Sequence, residues 1–355
     1  MNPSPLKILN HFENIHSWAT TGRATPINVH ICPYDSQCNH ACPMCTAGYQ
    51  GFTGAVMDAD VFVGLVGDLQ DLGVKSVTLT GGSEPTLHPE FEKLISCEHR
   101  PEMGLITNGS VITKQLAAAI LTRLVWVRVS LDAASPEQFR RSHGQDEAEF
   151  NRVLDGIANL VETKAALASA NLATVGLAFL TYPSEVCIRE IVPAAELAVR
   201  LGVDYLQFRP MLRQPGKQEL HYPGERLDRQ KEVIAAIAEA KKLATSRTRI
   251  VCSDAKYEIL ESGVIPRYTE CAFVHFTPAV AASGNVTLCC HHMEHEDFII
   301  GNINDRSFPS LWNSEKKRSM VNNLPLEECP LLCRGNGFNE VLEQVKKPGV
   351  HANFI

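Results

Sequence analysis

Between about residues 27 and 252, short apolar or β-branched runs alternate with longer helical patterns, which restricts this stretch to βα units packed around a parallel sheet. The runs that read as strands are 27–31 (INVHI), 76–80 (SVTLT), 104–107 (GLIT), 125–131 (VWVRVSL), 173–180 (ATVGLAFL) and 204–210 (DYLQFRP). Helices are expected between them at about 57–73, 88–96, 112–123, 147–169 and 185–202. Six such strands suit a doubly wound sheet, a full eight-fold barrel or a partial barrel, and periodicity alone does not choose. Beyond residue 210 come a polar loop (213–228), a charged helix (226–245) and a short strand (RIVCS). From Cys271 a β-hairpin is expected, turning at Ser283-Gly284-Asn285, followed by a helix (FPSLWNSEKKRSMVNN) and a final helix (GFNEVLEQVKK). The expected organisation is an N-terminal extension (1–24), a βα domain (25–212), a connector (213–265) and a small cysteine-bearing domain (266–355).

The cysteines add a second constraint. The 355-residue chain has twelve, begins without a basic-then-apolar leader, and lacks an apolar run long enough to span a bilayer, so a cytoplasmic location and no membrane partner are expected. In a reducing compartment, clustered thiols point to metal binding or catalysis rather than to disulfides. A net charge of -7, with no long basic block, argues against a nucleic-acid partner. Eight cysteines fall in two sets: Cys38, Cys42 and Cys45, then Cys271, Cys289, Cys290, Cys329 and Cys333. Cys32, Cys97, Cys187 and Cys252 are scattered and read as small buried side chains.

The front set, CNHACPMC, offers three thiolates where a tetrahedral metal wants four ligands. Thiolates suit zinc or iron–sulfur clusters, and His40 sits awkwardly between the cysteines for closing a zinc site. A four-iron cluster on three cysteines instead keeps one iron open for a small molecule. The Cys-x3-Cys-x2-Cys spacing directly after a first strand resembles the radical S-adenosylmethionine (SAM) superfamily. TGGSEP, with Gly81, Gly82, Ser83, Glu84 and Pro85, is similar to that family's Gly-Gly-x-Glu-Pro motif for the SAM amino group. ITNG, with Asn108, and VSLDA, with Ser130 and Asp132, are similar to further family segments at strand ends that meet the SAM carboxylate or ribose. Met44 stands where the family often carries an aromatic near the adenine. The resemblance spans about residues 25–210 and implies a partial (βα)6 barrel with its site at the C-terminal ends of the strands.

The rear set resembles the auxiliary-cluster extensions called SPASM and, in shortened form, twitch. The resemblance implies one auxiliary [4Fe–4S] cluster on Cys271, Cys289, Cys329 and Cys333, with structural zinc as the rival. Cys290 is left as a core thiol, an alternative ligand or a hydrogen-atom donor. HHMEHE (291–296) lacks fixed ligand spacing and reads as a polar loop.

The family resemblance further implies an enzyme that reductively cleaves SAM to a 5′-deoxyadenosyl radical and needs a reducing partner such as a flavodoxin or ferredoxin. Only about 25 residues precede the first strand, too few for the peptide-recognition domain of many peptide-modifying relatives. The first expectation is therefore a dehydrogenase acting on a small polyhydroxylated substrate, an aminosugar, cyclitol or nucleoside of a biosynthetic (antibiotic) pathway, with the auxiliary cluster as electron acceptor. The alternatives are an epimerase using the Cys290 thiol, a peptide-modifying enzyme, and a non-enzymatic iron–sulfur redox protein. Arg209, ending the sixth strand, is expected to face the site and to bind the SAM carboxylate or act on a substrate hydroxyl.

Overall fold

The structure, a computed structural model, describes residues 4–45, 51–98, 100–211, 227–262 and 268–347. Most of the polar loop expected at 213–228 lies outside the described residues. The strands are β1 (Asn28–Ile31), β2 (Tyr34–Asp35), β3 (Ala55–Val56), β4 (Ser76–Leu79), β5 (Glu102–Thr107), β6 (Trp126–Ser130), β7 (Thr174–Thr181), β8 (Tyr205–Pro210), β9 (Arg249–Cys252), β10 (Ala279–Val280), β11 (Asn285–Thr287) and β12 (Ile299–Asn302). Among the described residues ten of them form one sheet in the order β12-β11-β10-β1-β4-β5-β6-β7-β8-β9. The run from β1 to β9 is parallel throughout, the partial barrel expected of six βα units extended by one more strand.

Local chemistry starts five of the helices where the strand pattern ends. Asp58, Thr113, Ser135, Asp146 and Ser184 each accept a backbone N–H in the first turn of the helix they precede, satisfying donors that a helix leaves open. Along β6 the side chains alternate, Val127 and Val129 fully buried towards the helices and Trp126, Arg128 and Ser130 half-buried on the inner face. The inner face is tight at its base. A Cβ on Gly104 would fall 2.0 Å from the Trp126 ring and one on Gly176 2.0 Å from the Tyr205 ring, so these two rings lie flat on glycine backbone and plug the barrel floor.

The cysteine-bearing part continues this sheet. β10 pairs parallel with β1, through His30 to Ala279 and Ile31 to Val280, and β11 and β12 follow antiparallel. The N-terminal extension is also ordered: Ile8, Ile15 and Trp18 pack against Ala272, Phe276 and Leu342, the first turn and last helix of the rear domain. The single helix expected over FPSLWNSEKKRSMVNN is two, Phe308–Trp312 and Glu315–Asn322, because Ser314 caps the second by accepting from the Lys317 N–H. Among the described residues no helix is long and apolar enough to cross a membrane.

Candidate active site

The three-cysteine loop leaves the top of β1 and is bracketed by the β2–β3 ladder, Tyr34 against Val56 and Asp35 against Ala55. Asp35 accepts from the Thr53 N–H (3.2 Å) and hydroxyl (2.7 Å), closing the loop base. Within the loop the Cys45 N–H bonds the Cys42 carbonyl at 3.1 Å, and the Cys38 Sγ accepts the His40 N–H at 3.4 Å. Asn39 supplies the tether: its side-chain oxygen accepts from Asn108, its amide donates to Ser110 and Glu149, and its carbonyl accepts from Gln145. His40 is held with its Nε2 3.0 Å from the Glu149 carboxylate and its ring edge-on to Phe139 and His143, while its buried Nδ1 has no hydrogen-bond partner. His40, Cys42 and His143 place donor atoms within 4.8 Å of one another, but both His143 nitrogens are engaged, by the Ser142 hydroxyl and the Ser130 carbonyl.

The Gly81–Pro85 loop sits at the top of the adjacent strand β4. The Gly82 N–H donates to the Cys32 Sγ at 2.9 Å and the Ser83 hydroxyl to the Tyr34 carbonyl at 2.9 Å, so the two strand ends are laced together. A Cβ on Gly81 would fall 1.7 Å from the Ser83 carbonyl oxygen and one on Gly82 1.9 Å from the Asp35 carboxylate, so the turn favours glycine at both positions. Cys32 is buried as expected, yet it works as an acceptor in this lacing, and burial pushes its thiol up to about 11. The Glu84 carboxylate is fully occupied from within. It accepts from the Thr86 N–H (3.0 Å) and hydroxyl (2.5 Å), the Thr107 hydroxyl (2.6 Å) and the Asn108 N–H (2.6 Å), a brace from β4 to β5. Asn108 is likewise engaged, bonding Asn39 and Ser110 as well as Glu84.

At the end of β6, Ser130 lies half-buried and Asp132 is buried with φ of 49°, a left-handed backbone that costs a non-glycine residue about 1 kcal/mol. Its carboxylate accepts the Leu180 N–H at 2.6 Å. Burial pushes the Asp132 carboxyl up to about 6, against the pull of that hydrogen bond and of Arg209 and Arg128. A carboxyl raised in this way stays protonated where an exposed one is charged, so its ionised, hydroxyl-accepting form fills only as pH rises through about 6. Turnover is expected to increase across that window and to flatten, at a lower level, in Asp132→Asn, as read from rate against pH. Stability moves the other way. Between about pH 4 and 6 the folded chain keeps a proton that the unfolded chain loses, so Asp132 weakens folding as pH rises there. Met44 is buried in the main core.

All five rear cysteines line one enclosed pocket with Tyr268, Phe273 and Arg334. The Asn339 amide donates to the Cys271 Sγ (3.4 Å) and the Gly335 N–H to the Cys333 Sγ (3.3 Å), a pattern of N–H groups aimed at sulfur. Burial pushes these thiols up, Cys329 to about 12 and Cys333 to about 11, and raises Cys271, Cys38 and Cys42 as well. Thiolates gathered at such depth need a cationic partner, which iron supplies, so both donor sets fit iron–sulfur clusters. Cys290 begins a tight turn after Cys289 and faces His30, His291 and Arg334, on the barrel side of the pocket. In the HHMEHE segment Glu294 accepts from Ser283 and Asn285 and so braces the hairpin turn, and His292 stacks on Phe298.

The two cysteine sets border one interior. Asp132 neighbours Cys42 on one side and Arg209 on the other; Arg209 neighbours Arg334, which in turn neighbours Cys290 and Cys333. Arg128, Lys256 and Arg334 face this space and were not singled out from sequence. For Arg128 a signal existed, a charge at an inward position of the strand WVRVS.

Residues 36–177 match a family model described as the radical SAM superfamily, and residues 271–335 match SPASM, an iron–sulfur cluster-binding domain. The chain is a radical SAM protein with a SPASM domain. Its cofactors are accordingly SAM and [4Fe–4S] clusters. GTP 3′,8-cyclase of Xanthomonas axonopodis pv. citri is 39% identical over 98 residues, 26% of this chain and 29% of that protein. GTP 3′,8-cyclase of Mannheimia succiniciproducens is 30% identical over 132 residues, 35% of this chain and 38% of that protein. The chain thus spans less than two fifths of the length of these curated relatives. Among solved structures, Streptococcus suis SuiB bound to precursor peptide SuiA superposes with a TM-score of 0.67 at 13% identity, over 87% of this chain and 69% of that one. Native anSMEcpe with bound AdoMet gives 0.63 at 17% identity, over 84% and 83%. At these identities the likeness of this radical SAM protein to both is one of fold.

Proposed function

We propose that this radical SAM enzyme oxidises a secondary alcohol on a small hydroxylated substrate, such as an aminosugar, cyclitol or nucleoside, held between the two cysteine sets. In this reading Cys38, Cys42 and Cys45 hold the cluster that binds SAM, and Gly81–Ser83, Met44, Ser130 and Asp132 surround SAM while Glu84, Pro85 and Asn108 fix the loops. Cys271, Cys289, Cys329 and Cys333 hold the auxiliary cluster. The bound cluster and SAM supply, on reduction by a partner such as a flavodoxin or ferredoxin, a 5′-deoxyadenosyl radical. With both groups bound, the radical would accept the carbinol hydrogen atom and the auxiliary cluster held by Cys271, Cys289, Cys329 and Cys333 would accept the remaining electron, the hydroxyl proton leaving to solvent.

The observation that carries this reading is the series of charged side chains between the two sets: Asp132 lies within electrostatic reach of Cys42 and Arg209, Arg209 of Arg334, and Arg334 of Cys290. Arg209 stands midway in that series, suited to a SAM carboxylate or a substrate hydroxyl. A second reading, epimerisation, is favoured by Cys290, whose thiol ends that series, placed as a hydrogen-atom donor would be. SuiB was solved with a precursor peptide, and peptide modification is the outcome left if small alcohols are not consumed.

Turnover of candidate alcohols in deuterated water separates these. Oxidation yields a product lighter by two hydrogens, without deuterium at the reacting carbon, and Cys290→Ala retains it. An isomeric product carrying deuterium, lost in Cys290→Ala, contradicts oxidation and supports epimerisation.

A further inference from the structure

The inner face of the barrel carries an excess of positive charge at depth. Arg128 lies on β6 and Arg209 on β8, and each interacts with the other; Lys256, in the helix Asp254–Ser262, and Arg334 face Arg209 from the rim. Among the described residues none of the four forms an ion pair, and the carboxylate that faces the two strand arginines is Asp132, already accepting from Leu180. All four side chains are half-buried, and Arg128 and Arg209 stand at inward positions of their strands.

Arg128 is the most telling. One guanidinium nitrogen donates to the neutral Gln207 amide oxygen at 3.0 Å, while its buried Nε has no hydrogen-bond partner, and the buried Tyr205 hydroxyl beside it has none either. A buried guanidinium that shares one carboxylate with a second arginine is under-compensated, and orphaned buried donors add to that cost. Such groups persist where a ligand completes them. Thiolates of the rear set neighbour Arg334 and Lys256 but leave the Arg128–Arg209 pair opposed by Asp132 alone.

We propose that the substrate carries an oxyanion, a phosphoryl or carboxylate group, which enters the barrel and is bound by Arg128 with Arg209, Lys256 and Arg334 around it. A planar guanidinium with a free edge pairs with two oxygens of such a group, and the Tyr205 hydroxyl adds a third donor. The proposal deepens the reading of the space between the two cysteine sets as the substrate site, and it concerns binding, so it stands or falls apart from the redox outcome.

Calorimetric titration of the cluster-reconstituted protein with SAM present, at fixed ionic strength, tests it with two probes, sodium phosphate and sodium malonate. One probe is expected to bind at a single site; preference for phosphate assigns a phosphoryl group and preference for malonate a carboxylate. Arg128→Gln is expected to weaken that binding by at least about tenfold, with Arg128→Lys between the two and Lys256→Gln also weakened. Lys256 stands at the half-buried rim, so its variant reads the site even if Arg128→Gln does not fold. Binding of neither probe, or unchanged binding in both Gln variants, overturns the proposal. So does a loss confined to SAM affinity in Arg128→Gln, which would assign these cations to the SAM carboxylate.

Discussion

Cys42→Ala is expected to remove SAM cleavage altogether while leaving the rear cluster in place. Cys42 sits deepest of the front thiols, next to Asp132, and its loop is pinned by Asn39 and His40 to Asn108, Ser110 and Glu149. The scaffold around the loop therefore stays folded when one thiol is lost, and the deficit falls on the cluster. Iron should drop from about eight to about four atoms per chain, the count for one remaining four-iron cluster, and 5′-deoxyadenosine should fall to background. The matching change at Cys333 should also halve the iron, yet should leave SAM cleavage in the absence of product formation. Equal loss of SAM cleavage in both variants would contradict the division of roles between the two sets.

Glu84→Ala is expected to destabilise the protein by roughly 3–4 kcal/mol and to abolish activity, although the removed carboxylate touches none of the cysteines. It strips the acceptor from two hydroxyls and two backbone N–H groups in a buried site, where each donor left unmet costs about 1–3 kcal/mol and hydroxyl reorientation recovers part of that. Burial already raises the Glu84 carboxyl, with the four donors opposing, so the site is poised on those bonds. The loss should appear in urea unfolding of the reconstituted variant. Glu84→Gln keeps an acceptor oxygen but turns an N–H pair towards donors, and should recover only part of the stability. A Glu84→Ala variant with near-native stability and no SAM binding would instead mean that the carboxylate serves the ligand directly.

The βα alternation was legible because several levels of the chemistry agree: apolar outward faces on the strands, a capping side chain before five of the helices, and short connections between them. The front cysteines and the Gly81–Pro85 loop were legible because their spacing is local. What escaped is long-range. The pairing of β1 with β10 joins His30 to Ala279, and no local pattern reports that the rear hairpin continues the barrel sheet. Asn39 meets Glu149 across 110 positions, so its tethering of the cysteine loop has no sequence signature. The bonds that the Glu84 oxygens accept from Thr86, Thr107 and Asn108 depend on how β5 lies beside β4, which the local motif does not report. Arg128 was legible only as a charge at an inward position of WVRVS, and its partner across the sheet, Gly176 on β7, is set by long-range register.

The most direct test of the account is 5′-deoxyadenosine formation by the reconstituted wild-type protein, with both clusters present, after reduction with dithionite in the presence of SAM. The account predicts 5′-deoxyadenosine and methionine in equal amounts, dependent on Cys38, Cys42 and Cys45. Reduced protein with its full complement of iron that binds SAM no better than the Cys42→Ala variant, and never cleaves it, would contradict the account.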